Sequence, residues 1–574
     1  MEAAEAFELA YVERIASMVP LASDVWLGRE RPAGPGALIA GWWCPPDADP
    51  PLIVLPNPWD DRAGVAPAEE LCWRVTEAVI SRLAPTLDEL HGTEGGVRYW
   101  HLMLAPLLVH LVSTVADRRL FLRAAGTACP GVPILGVDSA GVPATMGELS
   151  RALRDPRWGA ALMTDMATAL GMEVRRLDDP WPTGARSAGP AYARPLDRVV
   201  ASLTAPREAA RKAEWLFGNA LLRGALARRP GARVAVVGAS GLTPREGFKL
   251  ARRVQGLRLP AITPPPAVMP PADADLRARL PTPDSASEEL ERLVLGLLPG
   301  YLPRSIIEGF DAVRAKSAQD YGPPTGVVAC NYAADEVQND FLGRCTLAGH
   351  RVVFAQHGGF YLQAAVNAQE RLELRPGSEF WSWGRGSDGI VPTPTPRLER
   401  LRGTFRGGSS ISLVEGVYPP DSYVLRFAST PLGNQTYDAS ERLAAMVEAT
   451  TASTRARMRL KRFPPVLGEA PRPKALDDLP SVGPGGAHSA TDWMRASLIT
   501  VVSYPDTPFI ESLVLGGPTI GLWNPAHWEW RDELREVVEG LERAGIVFGD
   551  PVRAAAHLEA VVPHVRGWWD RPDV

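Results

Sequence analysis

A chain of 574 residues with 45% apolar composition is too long for a single core and should fold as two or three domains. A net charge of −5, with 61 basic against 66 acidic residues, argues against a phosphate-backbone partner, so no nucleic acid is expected. The 5 cysteines, Cys44, Cys72, Cys129, Cys330 and Cys345, lack CxxC spacing, which argues against a disulfide framework or a zinc site.

The longest apolar run, 102–116, falls short of the roughly 18 residues of a membrane span and is interrupted by His110, so it reads as a buried helix. The acidic opening Met1-Glu2-Ala3-Ala4-Glu5 lacks the basic stretch of an export signal, and a cytoplasmic location is expected, with at most peripheral membrane association.

In chain order, Leu52 to Leu55 reads as a strand, Ala66 to Leu90 and Arg98 to Leu122 as helices, and Val132 to Val137 as a strand. Pro206 to Leu226 is helical, and a strand from Arg233 follows it. The proline-rich stretch 260–283 reads as a loop, and a helix from Ser285 to Tyr321 is broken near Pro299 and Pro303. From Thr325 a βα rhythm sets in, with strands at 326–330 and 351–355 around a helix. Gly384 to Ser410, rich in glycine and proline, is the expected hinge. Beyond it come strands at 423–427, 457–462, 498–503 and 518–522, with helices between. This alternation predicts parallel sheets covered on both faces. The expected fold is therefore α/β, with two doubly wound Rossmann-like domains facing a cleft and a helical insertion in the N-terminal half. The first domain is set at 1–400 and the second at 405–574, with the terminal helix bearing Trp568-Trp569 crossing back onto the first.

Three constellations could carry chemistry. Ser503 falls at a strand's carboxyl end and Thr507 at the expected N-cap of a helix with Pro508 behind it. Such a helix start attracts phosphate, and Glu511, one turn further in, could accept from ribose hydroxyls; a capped helix with a solvated Glu is the plainer reading. Gln356-His357-Gly358-Gly359 follows a second strand, where His357 could act as base or phosphate donor and the two glycines allow close ligand approach. A lone His is more often structural. Glu370 and Glu373, at i,i+3, share one helix face, from which one carboxylate could orient His357. Lys461 and Arg462 end a strand and could neutralise a leaving phosphate. No acidic pair sits at a strand end, and no metal or cofactor is expected.

Arg98-Tyr99-Trp100 with Ala105 to Leu108 and Asp117-Arg118, Leu302-Pro303 with Glu308, the Gln356 to Tyr361 segment with Glu370, Glu373 and Trp381-Ser382-Trp383-Gly384, and Thr507, Glu511, Gly517-Pro518-Thr519 and Trp568-Trp569 occur in an order that resembles the LIC12162-type transferase family. The resemblance spans most of the chain. It implies a GT-B fold and sugar transfer from a nucleotide-sugar, with a CMP-linked ulosonate favoured, to a glycan or small-molecule acceptor in surface carbohydrate biosynthesis. The order of elements is also similar to CDP-glycerol phosphotransferases and capsule transferases, which implies His357 on the acceptor side and Ser503 to Glu511 on the donor side. A CDP-glycerol-type phosphotransferase and a catalytically silent glycan-binding scaffold are the alternatives. The chain departs from the family pattern at Leu362, where a glycine is expected, at Ser378 in place of an Asp, and at Arg385 in place of a Trp. After Arg462, Phe463-Pro464-Pro465 also departs from it.

Overall fold

A computed structural model of the protein describes residues 2–18, 24–26, 38–44, 52–138, 141–153, 155–177, 233–238, 242, 244–254, 256–259, 266, 268–375, 379–416, 427–462, 472–482, 489–572 and 574. The helix expected at 206–226, most of the strand at 423–427, Ser378 and Phe463-Pro464-Pro465 lie outside these residues.

Every strand pair in the three sheets is parallel. The first sheet runs β3 (Leu52–Val54), β2 (Leu38–Ala40), β1 (Asp24–Trp26), β4 (Ile134–Gly136), β5 (Val174–Arg176). The second runs β11 (Ile390–Pro392), β10 (Glu379–Ser382), β9 (Val352–Ala355), β8 (Gly326–Cys330), β6 (Val234–Gly238), β7 (Leu257–Arg258). The third runs β14 (Ser481–Val482), β13 (Met458–Lys461), β12 (Ile411–Val414), β15 (Ile499–Val502), β16 (Thr519–Leu522), β17 (Val547–Phe548). The mixed α/β class and the parallel sheets agree with the Rossmann-like expectation. The N-terminal half, however, carries two sheets where one was expected. Of the first sheet, β3 and β4 coincide with the strands read at 52–55 and 132–137, while β1, β2 and β5, of three residues each, leave too short an apolar run to stand out.

Fully buried β-branched runs such as Ile499-Thr500-Val501-Val502 suit a central parallel strand, covered by helices on both faces. Buried apolar side chains form two large clusters. One joins residues of the first two sheets and the helices around them; the other surrounds the third sheet.

The helix Gly96–Ala128 extends the apolar run well past the stretch read from sequence. By length and composition it could cross a membrane, but 94% of its most apolar window is buried inside the protein. Its Asp117 is fully buried, accepts the indole N–H groups of Trp42 at 3.1 Å and Trp59 at 2.7 Å, and pairs with Arg118 at 2.7 Å. The Arg118 guanidinium lies over the Trp43 ring at 3.5 Å. The Asp-Arg pair is thus the polar tie between the long helix and the segments leaving β2 and β3. Leu302 and Glu308 play a comparable part, because both hold the buried Arg277, Glu308 at 2.7 Å.

The stretch expected to be a hinge is pinned on both sides. Ile390–Pro392 is the edge strand β11, and the helix Pro396–Leu401 packs on the helix Thr507–Leu515. Gly403 N–H then donates to Val514 O at 3.0 Å and Phe405 N–H to Leu515 O at 3.1 Å. The closing aromatic pair does not return to the N-terminal half. Trp568 belongs to the cluster around the third sheet and donates to Ala544 O at 3.2 Å, while Trp569 donates to Gly516 O at 3.2 Å. A wet aromatic pair does seek a partner, and the nearest apolar surface was within its own half.

Candidate functional site

His357 leaves the carboxyl end of β9 on a turn that Gln356 holds in place. The Gln356 side chain donates to Gly358 O at 2.8 Å and accepts Trp383 N–H at 2.8 Å, and the Trp383 indole donates to Gln356 O at 2.9 Å. The two motif segments are therefore one interlocked unit. His357 Nδ1 meets the Tyr361 hydroxyl at 3.2 Å and lies 3.5 Å from Glu373 Oε1. Glu373 is buried and its Oε1 also accepts from Gln369 Nε2 at 2.7 Å. The imidazole retains 27% side-chain exposure, so its inner edge is oriented while the ring still reaches solvent.

Glu370, the other carboxylate of the expected pair, serves the loop. Its Oε2 accepts Leu362 N–H at 2.6 Å, and its Oε1 pairs with Arg531. The Glu370–Glu373 spacing does put both carboxylates on one helix, but only Glu373 reaches the imidazole.

Gly359 brings the two halves together. Its N–H donates to Thr507 Oγ1 at 2.8 Å. A Cβ built on Gly359 would lie 2.5 Å from Thr507 N and 2.7 Å from Asp506 C, so only glycine fits against the start of the helix Thr507–Leu515. The N-cap of that helix is Asp506, one residue before the position expected from sequence. Asp506 Oδ1 accepts Thr507 N–H at 2.6 Å and Thr507 Oγ1–H at 3.1 Å, and burial raises its carboxyl pKa. Asp is as good a cap as Thr, so the run Asp506-Thr507-Pro508 permits either register and tertiary contact selected one.

Ser503, at the end of β15, is buried and accepts Gly416 N–H at 2.8 Å. In register, Val414 of β12 sits between Lys461 of β13 and Val502 of β15. Lys461, Glu415 and Ser503 consequently share one edge of the third sheet. Lys461 is buried, and desolvation lowers its ammonium pKa. Arg462 pairs with Asp477 at 3.3 Å, and Glu415 with Arg472 at 2.8 Å. Glu511 is buried against the Arg397 guanidinium, and burial raises its carboxyl pKa even so. Sequence reasoning missed Arg397, because it lay in the presumed linker, and Glu415 with Arg472, because no spacing joins them. Among the described residues no group of His, Cys, Asp and Glu is placed to hold a metal ion.

A family model describing LIC12162 family transferases matches residues 32–574. The chain belongs to the LIC12162 transferase family. No curated protein matches it. Within this family frame, Tyr99 and Trp100 are structural ties, since Tyr99 donates to Asp340 at 2.6 Å and Trp100 to Asp88 at 2.9 Å. The departure at Leu362 keeps the backbone form a glycine would take, with φ 58°. The departure at Arg385 touches the same residue, because Arg385 donates to Leu362 O at 3.2 Å.

Proposed function

We propose that this transferase is a GT-B type glycosyltransferase moving a sugar from a nucleotide-sugar, a CMP-linked ulosonate by preference, to a glycan or related acceptor of surface carbohydrate biosynthesis. The observation that carries the reading is the 2.8 Å contact of Gly359 with Thr507, which sets the His357 loop at the carboxyl end of β9 against the helix start that follows β15. Ligands of open α/β sheets bind outside the carboxyl ends of their strands.

In this reading residues 1–400 form the acceptor side and 405–574 the donor side. His357 removes the proton of the acceptor hydroxyl through Nε2, with Glu373 and Tyr361 on Nδ1 favouring the imidazolium that forms. Lys461 and Arg462 offer positive charge to the departing nucleotide phosphate, which lowers the barrier only to the extent that charge builds up there in the transition state. Ser503, Thr507 and Glu511 contact the nucleotide, Glu511 by accepting from ribose hydroxyls. Gly358 and Gly359 keep the loop close to the donor.

The test is thermal stabilisation with CMP, CDP and UDP, followed by mass spectrometry of products from the matching nucleotide-sugars. At a ligand concentration near 100 times Kd the stabilisation should reach about 2.7 kcal/mol. No shift with any nucleotide would overturn the transferase assignment to this cleft and leave a scaffold. A product heavier by a glycerol phosphate would replace sugar transfer with phosphotransfer.

A further inference from the structure

The turn after the glycine pair is unusual backbone. Phe360 and Leu362 both hold left-handed conformations, φ 64° and 58°, on either side of Tyr361. A Cβ makes each of these conformations strained, and they persist only where surroundings over-determine them. The surroundings here come from a distant segment, 528–531. The Phe360 ring packs edge-on against Trp528 at 5.4 Å and Trp530 at 5.3 Å. Ala364 bridges Trp530 in antiparallel fashion, and Ala365 N–H donates to Glu529 O at 2.9 Å.

Arg531 closes this grip. Its backbone N–H donates to Gln363 O at 2.8 Å, its Nε to Ala364 O at 3.0 Å, and its Nη2 to Glu370 Oε1. The other oxygen of Glu370 accepts Leu362 N–H at 2.6 Å, so one guanidinium braces the turn on the C-terminal side of Tyr361 while the two tryptophans hold the Phe360 side. The turn in its place delivers the Tyr361 hydroxyl to His357 Nδ1 at 3.2 Å.

We propose that Arg531 is a positioning residue for His357, acting from the third-sheet half through Ala364, Glu370 and the strained turn that carries Tyr361. The proposal rests on the reading that His357 performs the chemistry. The planar guanidinium suits the task because it donates in two fixed directions at once; an ammonium keeps the charge opposite Glu370 but cannot hold both partners in the same geometry. Without its cation the buried Glu370 carboxylate is desolvated and unpaired. It then turns toward water and releases Leu362 N–H.

The experiment is NMR of the full-length protein labelled with carbon-13 at histidine Cε1, the His357 signal being assigned by its loss in His357→Gln. Tyr361→Phe defines the shift produced when the hydroxyl contact is lost. Arg531→Ala should move the His357 signal the same way while leaving the other histidines in place, and Arg531→Lys should return part of the shift. Asn57→Ala breaks a different contact between the halves, to Leu432 O at 2.8 Å, and should leave the His357 signal where it was. If Arg531→Ala does not fold, Glu370→Ala replaces it, since it removes both the acceptor for Leu362 N–H and the partner of Arg531; the same direction of shift is expected. An unmoved His357 signal in a folded but less stable Arg531→Ala protein would overturn the proposal and make Arg531 a structural tie. An equal shift in Asn57→Ala would overturn it too. None of these readings needs a substrate, so a failure to bind nucleotide would remove the proposed function and leave the positioning result standing.

Discussion

Thr507 and Gly359 follow strands of different sheets, 148 residues apart in sequence, and share one hydrogen bond of 2.8 Å. The hydroxyl that accepts from Gly359 also donates to Asp506 at 3.1 Å, so its one proton is used within the protein and a single lone pair is left for a ligand's donor. The start of the helix Thr507–Leu515 is therefore tied to the histidine loop, and a change on either partner should be felt on the other.

Gly359→Ala forces a methyl against backbone atoms of Asp506 and Thr507, the nearest at 2.5 Å, and neither can move without moving the helix. Overpacking of this kind costs about 1–3 kcal/mol. Gly358→Ala meets only Thr507 Oγ1, at 3.3 Å, and should be the milder change. Urea denaturation of the pair checks the order, and equal stability of the two variants would show that the junction yields.

His357→Ala should keep the fold and the nucleotide affinity while transfer falls by about 10²–10⁴-fold, the usual contribution of a general base. His357→Asn retains a hydrogen-bonding side chain without the base and should be equally slow in transfer. Rates with the nucleotide-sugar identified by the product screen check this. Near-normal transfer by His357→Ala would reduce the residue to a structural part of the loop.

At Leu362 the usual order of substitutions should reverse. Truncation to Ala loses about 1.5–3 kcal/mol of side-chain burial and keeps the left-handed strain. Gly loses the same burial but relieves strain of about 1–2 kcal/mol, partly offset by its greater freedom in the unfolded chain. Leu362→Gly should thus be more stable than Leu362→Ala by up to about 1 kcal/mol, measured by denaturant midpoints. Leu362→Ala proving the more stable would contradict the left-handed assignment.

Glu336 begins the helix Glu336–Leu347 and is almost wholly buried; desolvation pushes its carboxyl pKa up to about 7. The folded value exceeds the unfolded one of 4.5, so the fold binds the extra proton. That contribution is fully present below the unfolded pKa and disappears as pH rises through 7. Glu336→Gln mimics the protonated form at all pH values. It should match the wild type near pH 4 and exceed it at pH 8 by an amount on the order of 2–3 kcal/mol. Melting curves across that range check the sign; parallel curves would mean that Glu336 does not titrate there.

The elements of the second and third sheets were legible in sequence because each strand is a run of apolar residues closed by a small-residue or capped turn, as in Arg351 to Gly359 and Leu498 to Thr507. The same local signals marked His357 and the Ser503–Thr507 turn as strand-end residues. What local signals could not carry was partner choice. Periodicity puts Glu370 and Glu373 on one face, yet only packing sends Glu373 to His357 and Glu370 to Leu362 and Arg531. Hydroxyl chemistry makes Thr507 a cap or a phosphate ligand, and the neighbouring Gly359 and Asp506 took it up. An aromatic pair at the terminus demands burial but does not say against which core. Arg397, Arg472 and Arg531 bear on the site from positions with no local pattern, since an ion pair across many residues is created by the tertiary fold. Sequence alone determined the α/β class, the family and the strand-end candidates, because those depend on short-range pattern. The tertiary structure decided the additional sheet of the N-terminal half and the pairing of each charge, because those depend on which surfaces the chain brings within a few ångströms.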